Sequence, residues 1–362
     1  MKCDNLLVCG LGQCGGILAD LTKKVNRRYS TIYVNSSLGD AYGLEFADLD
    51  SNVFIYSGAD GSGRNRDKAK QFIENDKLRL AHFLNRFKQF KYMLVYSSLG
   101  GGTGSGTLPE FLRTVNKVLP NMIINVVGVL PALSEETLQL QNALECCNEL
   151  TEMLEDEDNI IIHDLKFINN ESRKNKYNEL NKEAILSIDD SYSRMAAHSS
   201  VGSIDEDNLT NVTTAIGCGV ILDLPRRYIS LEDAITEAQQ DSVFAIPDNL
   251  ACSYAAVNVT DEYDIEDIMT LLEVDKTIYR TYNNKKTNMI VLGGCDFPSE
   301  ALIDIEDELK SRETNKKENK RSFGFKSKVV AEKKENDTPT KRRIIEDEED
   351  LDDLFDIEAF RF

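Results

Sequence analysis

The sequence predicts an α/β protein: a Rossmann-like parallel-sheet domain, a long central helix, a smaller α/β domain and a disordered charged tail. Three observations carry this. Strand-like and helix-like segments alternate through the first half, and two glycine-rich turns each sit between a strand and a helix. The pattern then changes after Gly202 and again after residue 309.

The elements follow in order. Asn5–Cys9 is an apolar run that stops at glycines, a first strand, and Ile17–Val25 is the helix after it. Thr31–Asn35 and Val53–Tyr56 are rich in β-branched and aromatic residues and read as the next two strands. Asp67–Phe87 repeats apolar side chains at helical spacing, among them Phe72, Ile73, Leu80, Phe83, Leu84 and Phe87. Tyr92–Tyr96 is a strand, Pro109–Val118 a helix, Ile123–Leu130 a strand, Thr137–Leu154 a helix, and Ile160–His163 a short buried strand. Tyr177–His198 reads as the central helix. Strands are then expected at Ala215–Asp223, Tyr254–Thr260 and Met289–Gly293, with helices at Leu231–Gln239 and Ile265–Leu272. The expected divisions are 1–176, 177–202, 203–309 and a tail at 310–362.

The 362 residues are 41% hydrophobic and 29% charged, enough for two cores and solvated surfaces. The net charge of −20 lies in the body, because residues 310–362 hold 14 basic and 14 acidic side chains. An acidic body repels phosphate backbones and is a poor general nucleic-acid binder. Residues 310–343 carry 13 basic and five acidic side chains and few large apolar ones, a composition that buries too little surface to fold. Residues 346–358 then hold nine carboxylates and no cation, and Phe355, Phe360 and Phe362 put aromatics back, as in a short recognition segment. Eight cysteines without a Cys-x-x-Cys pair, and only three histidines, argue against zinc or iron–sulfur ligation. No secretory pattern opens the chain and no run of about 18 apolar residues occurs, so a cytoplasmic location is expected.

Gly10-Leu11-Gly12-Gln13-Cys14-Gly15 fits G-x-G-x-x-G between a strand and a helix. Glycines let backbone approach phosphate, and the helix start offers free N–H groups. A dinucleotide-binding oxidoreductase would use the same turn, but it also wants an acid at the end of the second strand. Here Val34-Asn35-Ser36-Ser37 stands in that place. The second cluster is more specific. Ser98-Leu99-Gly100-Gly101-Gly102-Thr103-Gly104-Ser105-Gly106 follows a strand and precedes a helix, and its N–H groups and hydroxyls suit an anion nest. No lysine follows, so it is not a Walker A loop.

Ser98–Gly106 resembles the signature loop of tubulin and FtsZ, and Gly12-Gln13-Cys14-Gly15 resembles the first nucleotide loop of eukaryotic tubulin. The order of elements agrees over residues 1–309. The resemblance implies GTP or GDP with Mg2+ in the first domain, and head-to-tail filaments. It further implies nucleotide contacts from Asn35 and Ser36, from the loop Gly58–Gly63 around Gly61, and from Glu135 at the ribose. Gln139 stands where FtsZ has an arginine. Asp164, after the run Ile160–His163, takes the place of a base-reading Asn; Tyr177 and Asn181, four apart on one helix face, resemble the base-stacking and base-pairing pair.

Catalysis in this family is completed by the next subunit's loop. Gly202-Ser203-Ile204-Asp205-Glu206-Asp207-Asn208-Leu209-Thr210 fits that loop in part: Asp207 is kept, Asp205 replaces Asn, and Thr210 replaces the final acid. Such an acid run is also what a solvated turn looks like. The divergence resembles the TubZ group of bacterial plasmids and phages, whose filaments move DNA through an adaptor bound to the tail. Asp356-Ile357-Glu358-Ala359-Phe360 resembles the FtsZ tail motif, so an FtsZ-like division role and a GTP-binding scaffold without turnover stay open.

Overall fold

In the computed structural model, residues 3–318 are described, apart from 157, 173–175, 194, 226–228, 248, 261–262 and 283–287. The calls on the tail beyond 318 lie outside the described residues.

Six parallel strands form the first half: β1 (Leu6–Leu11), β2 (Ser30–Asn35), β3 (Val53–Ile55), β4 (Tyr92–Ser98), β5 (Ile123–Leu130) and β6 (Asp164–Asn169). Their spatial order is β3-β2-β1-β4-β5-β6. Chain order reverses between β1 and β4, so a crevice opens there at the carboxyl ends of the strands. The strands read as unbroken apolar runs because helices cover both faces. Leu7, Cys9 and Leu11 point into one core with Ile73, Phe111, Leu140 and Leu150. Leu6 and Val8 point into the other with Leu18, Leu180, Ile185 and Leu209.

The later strands are not a separate sheet. β9 (Cys218–Asp223) joins β6 through Leu165 opposite Cys218, and β12 (Met289–Cys295), β10 (Cys252–Val259) and β11 (Val274–Tyr282) continue outward into one ten-stranded sheet. The remaining strands, β7 (Ala197–Ser199) and β8 (Gly202–Ile204), form a hairpin where the sequence extends the central helix to His198; that helix, α6, stops at Ser193.

The helices of the first half are α1 (Gly12–Val25), α2 (Leu38–Tyr42), α3 (Arg66–Asn85), α4 (Thr103–Val118) and α5 (Thr137–Glu155). After α6 (Tyr177–Ser193) come α7 (Glu206–Thr213), α8 (Leu231–Gln240), α9 (Ile265–Leu271) and α10 (Ser299–Glu318). The helix expected from Pro109 begins six residues earlier, at Thr103. Pro109 has no N–H for the Ser105 carbonyl; Arg66 Nη2 donates to that oxygen instead, at 3.1 Å, so the helix passes through the proline. α10 runs nine residues past 309, because Leu302, Ile305 and Leu309 pack on the core below a strongly charged outer face.

The strand expected at Ile160–His163 is displaced. Asp164–Asn169 is the strand, and Asp164 stands near its start, opposite Asn125 of β5. Asp164 is buried and bonded to the equally buried Lys166 two residues on, so charges on a fully enclosed strand hid it from a reading based on apolar runs. Burial pushes the Asp164 carboxyl above its ordinary range against the pull of Lys166. Lys166→Met is expected to cost about 3–5 kcal/mol by leaving Asp164 unpaired, whereas Lys166→Met with Asp164→Leu regains most of it. Denaturant unfolding of both variants measures the difference.

Candidate nucleotide-binding site

The crevice floor is made of loops whose closeness depends on glycine. Gly12 has φ +67°, a left-handed turn, and a Cβ there would lie 3.1 Å from the amide of Gly104. The two glycine loops therefore touch. A Cβ on Gly104 would meet Ser97 Oγ at 2.6 Å, and one on Gly106 would meet the Arg66 carbonyl at 2.7 Å. Leu99, fully buried, donates its N–H to the Val129 carbonyl and anchors the loop to β5. Gly101 and Thr103 are left partly exposed.

Side chains tie neighbouring loops to this floor. Ser36 Oγ and Thr103 Oγ1 lie 2.6 Å apart, and Thr103 Oγ1 donates to Ser62 Oγ at 3.1 Å. Gly61 donates its N–H to the Ser36 carbonyl at 2.9 Å. Asn35 Oδ1 accepts from the Ser36 amide at 2.7 Å. Ser105 Oγ donates to the Gly101 carbonyl, and Gly101 donates to Ser98 Oγ at 3.2 Å. The loop at 58–64 holds four left-handed residues, Gly58, Gly61, Gly63 and the non-glycine Arg64 at φ +63°. Asn142 of α5 donates to the Arg64 carbonyl at 2.9 Å and to the Gly100 carbonyl at 3.1 Å, which fixes that conformation.

Anion affinity comes from helix ends. α2, α3, α7, α8 and α9 carry side-chain caps from Ser37, Asn65, Asp205, Ser230 and Asp264. α1 and α4, which begin in the two glycine loops, have no side-chain cap. Their first-turn N–H groups and positive dipole ends are what a phosphate group satisfies.

On the far side, Glu135 accepts from the Ala132 amide at 3.1 Å, from Tyr177 OH at 3.4 Å and from Gln139 Nε2. Gln139 thus supports the glutamate. Burial, and then the Glu135 carboxylate, push the Cys14 thiol up to about 12, so it stays a neutral thiol at physiological pH. Asn181 Oδ1 and Asn170 Oδ1 are buried without a hydrogen-bond partner. A buried amide oxygen without a donor is costly, and guanine N1–H and N2–H2 are donors of the right kind.

The structure therefore gathers Gly12, Gln13, Cys14, Asn35, Gly61, Gly100–Gly106, Glu135 and Tyr177 on loops and helix starts at one end of the parallel strands. Asp164 is not among them: it lies toward the opposite end of β6. Asn170, just past the carboxyl end of that strand, holds the orphaned oxygen that Asp164 was expected to supply. The signal missed was the alternation Leu165-x-Phe167, which sets the true register. Asn142 was missed too, although a polar residue beside Ala143 and Cys146 on the inner face of a helix marks a bonded amide.

Asp205 and Asp207 stand apart on α7, which packs on β10 and β12. Asp205 caps the helix, accepting from the Asn208 amide at 2.8 Å; Asp207 is exposed in the first turn, and Thr210 Oγ1 donates to the Glu206 carbonyl.

A parallel sheet in the order 3-2-1-4-5-6 with uncapped helix ends at its switch point defines a nucleotide-binding α/β protein. Residues 5–172 match the Tubulin/FtsZ family, GTPase domain, and the chain is a member of the tubulin/FtsZ superfamily of GTPases. It is 26% identical over 324 residues to the tubulin-like protein TubZ of a Clostridium botulinum C phage, covering 87% of each chain. The tail-truncated TubZ of Clostridium botulinum phage c-st superimposes with a TM-score of 0.77 at 23% identity, over 86% of this chain and 99% of that one. A GTPγS-form protofilament of Bacillus thuringiensis serovar israelensis TubZ gives 0.74 at 16% identity, over 87% and 93%. These likenesses establish the fold. No helix among the described residues is long and apolar enough to cross a membrane.

Proposed function

We propose that the protein binds GTP in the crevice between β1 and β4, assembles head to tail, and hydrolyses GTP at the subunit junction. The observation that carries this is the pair of uncapped helix starts, α1 and α4, facing each other across touching glycine loops. The N–H groups of Gly101–Ser105 and the hydroxyl of Thr103 would take the phosphates. Glu135 would take the ribose, and Tyr177, Asn170 and Asn181 the guanine. Isothermal titration with GTP, GDP and ATP tests it. One saturable site for both guanine nucleotides with weak ATP binding is expected, and equal affinity for ATP would overturn the base assignment.

Mg2+ fits as a companion of the phosphates. Among the described residues no group of three His, Cys, Asp or Glu could hold a metal alone, whereas Mg2+ is commonly held by substrate phosphates and a few protein oxygens. The Thr103 and Ser36 hydroxyls and the Asn35 amide are the oxygens at hand. Bound there, the ion would neutralise phosphate charge.

Hydrolysis needs an oriented water and little covalent chemistry from the protein. The crevice holds the phosphates but has no carboxylate assigned to the water, while Asp207 stands exposed on α7. A head-to-tail neighbour would bring that carboxylate to the γ-phosphate. The protofilament form of Bacillus thuringiensis TubZ supports this arrangement. We assign Asp207 the water and leave Asp205, whose carboxylate caps α7, a lesser share. The cap and the bonded Thr210 hydroxyl favour one second reading, a GTP-binding scaffold without turnover, and phosphate release distinguishes the two.

The role of the filament in this reading is movement or positioning of plasmid or phage DNA in the cytoplasm, with a DNA-binding adaptor held by the charged tail. A pull-down with full-length and residue-318-truncated protein tests the tail's part.

A further inference from the structure

The loop at 131–136 bounds the ribose side of the crevice, and α10 sets its position. Arg312 on that helix engages three acceptors. Nη1 donates to the Glu135 carbonyl at 2.6 Å, Nη2 to the Leu133 carbonyl, and Nε to Glu308 Oε1 at 2.6 Å. Glu308, one turn earlier, holds the guanidinium, and the planar fork spans two backbone oxygens as an ammonium cannot. The side chain is 23% exposed, so solvent screens it less than a free surface pair. Ile305 is buried and Leu309 packs on the core, which makes α10 a firm support. From the other side, Glu171 Oε2 accepts the Leu133 amide at 2.9 Å. The backbone at 133–135 is thereby clamped between α10 and the segment after β6, and the direction of the Glu135 carboxylate follows from the clamp.

We propose that Arg312 is a positioning residue for nucleotide binding: by holding the carbonyls of Leu133 and Glu135 it aims the Glu135 carboxylate at a ribose hydroxyl. This rests on the nucleotide-binding reading above. It makes the last helix of the described chain part of the site, although it follows the matched GTPase domain in sequence by more than 100 residues.

The test compares GDP with 2′,3′-dideoxy-GDP by calorimetry on the full-length wild type, Arg312→Ala, Arg312→Lys and Glu308→Gln. Arg312→Ala should weaken GDP about tenfold and leave the dideoxy analogue within about twofold, so that the preference for ribose collapses. Lysine should recover part of it, and Glu308→Gln should fall between. An equal loss for both nucleotides would show a general structural role and overturn the assignment, as would unchanged GDP binding. If Arg312→Ala does not fold, the Lys and Gln variants carry the same comparison. A wild type that binds neither nucleotide would sink the underlying reading, a result distinct from the others.

Discussion

Asp207→Ala will bind GTP and assemble as the wild type does, yet release phosphate about 100-fold more slowly or worse. The reasoning is positional. Asp207 is exposed in the first turn of α7 and supports no packing. Its loss removes a favourable charge at a helix N-terminus, worth about 0.3–1 kcal/mol. Asp205→Ala is a poorer probe, because the cap to the Asn208 amide goes with it, at roughly 1 kcal/mol. A carboxylate that orients water contributes on the order of 10²–10⁴ in rate, far above either stability effect. Pelleting assays report assembly and a phosphate assay reports turnover. Wild-type phosphate release from the variant would remove Asp207 from the mechanism and leave the scaffold reading ahead.

Gly104→Ala will abolish GTP binding while the protein still folds. The added methyl would lie 2.6 Å from Ser97 Oγ, 3.0 Å from the Ser98 carbonyl and 3.3 Å from the Leu11 carbonyl. Two of these are backbone atoms of the strands flanking the crevice and cannot turn aside, so the first turn of α4 must shift. Overpacking of this kind costs roughly 1–3 kcal/mol, which a protein of this size tolerates. Displacing phosphate donors by about an ångström costs on the order of 100-fold in a site that works by positioning. Circular dichroism with a GTP titration separates the two effects: a folded variant with wild-type affinity would mean the phosphates bind elsewhere.

The first half of the fold was legible because its strands are buried on both faces and punctuated by glycine. Asn5–Cys9, Thr31–Asn35 and Ile123–Leu130 fall within or on β1, β2 and β5. The glycine loops were legible for the same reason: close approach of backbone leaves few alternatives to glycine, as at Gly12 and Gly104. Where charge enters the interior the reading failed. Asp164 and Lys166 neutralise each other inside the sheet, and the apolar run before them drew the strand four residues too early. Three elements were missed for related reasons. α7 opens with acids that also look like a turn, β11 is half-exposed at the sheet's edge, and α10 hides its few core contacts among charges. Arg312 lay beyond reach of pattern, since its partners are backbone carbonyls about 180 residues away.

Right-angle light scattering recorded together with phosphate release, after addition of GTP or of its slowly hydrolysed γ-thio analogue, addresses the central claim. Scattering should rise with either nucleotide, phosphate should follow only with GTP, and the analogue's filaments should persist. Scattering that stays flat with both nucleotides, in protein that is demonstrably folded, would contradict a GTP-driven polymer built on the crevice between β1 and β4.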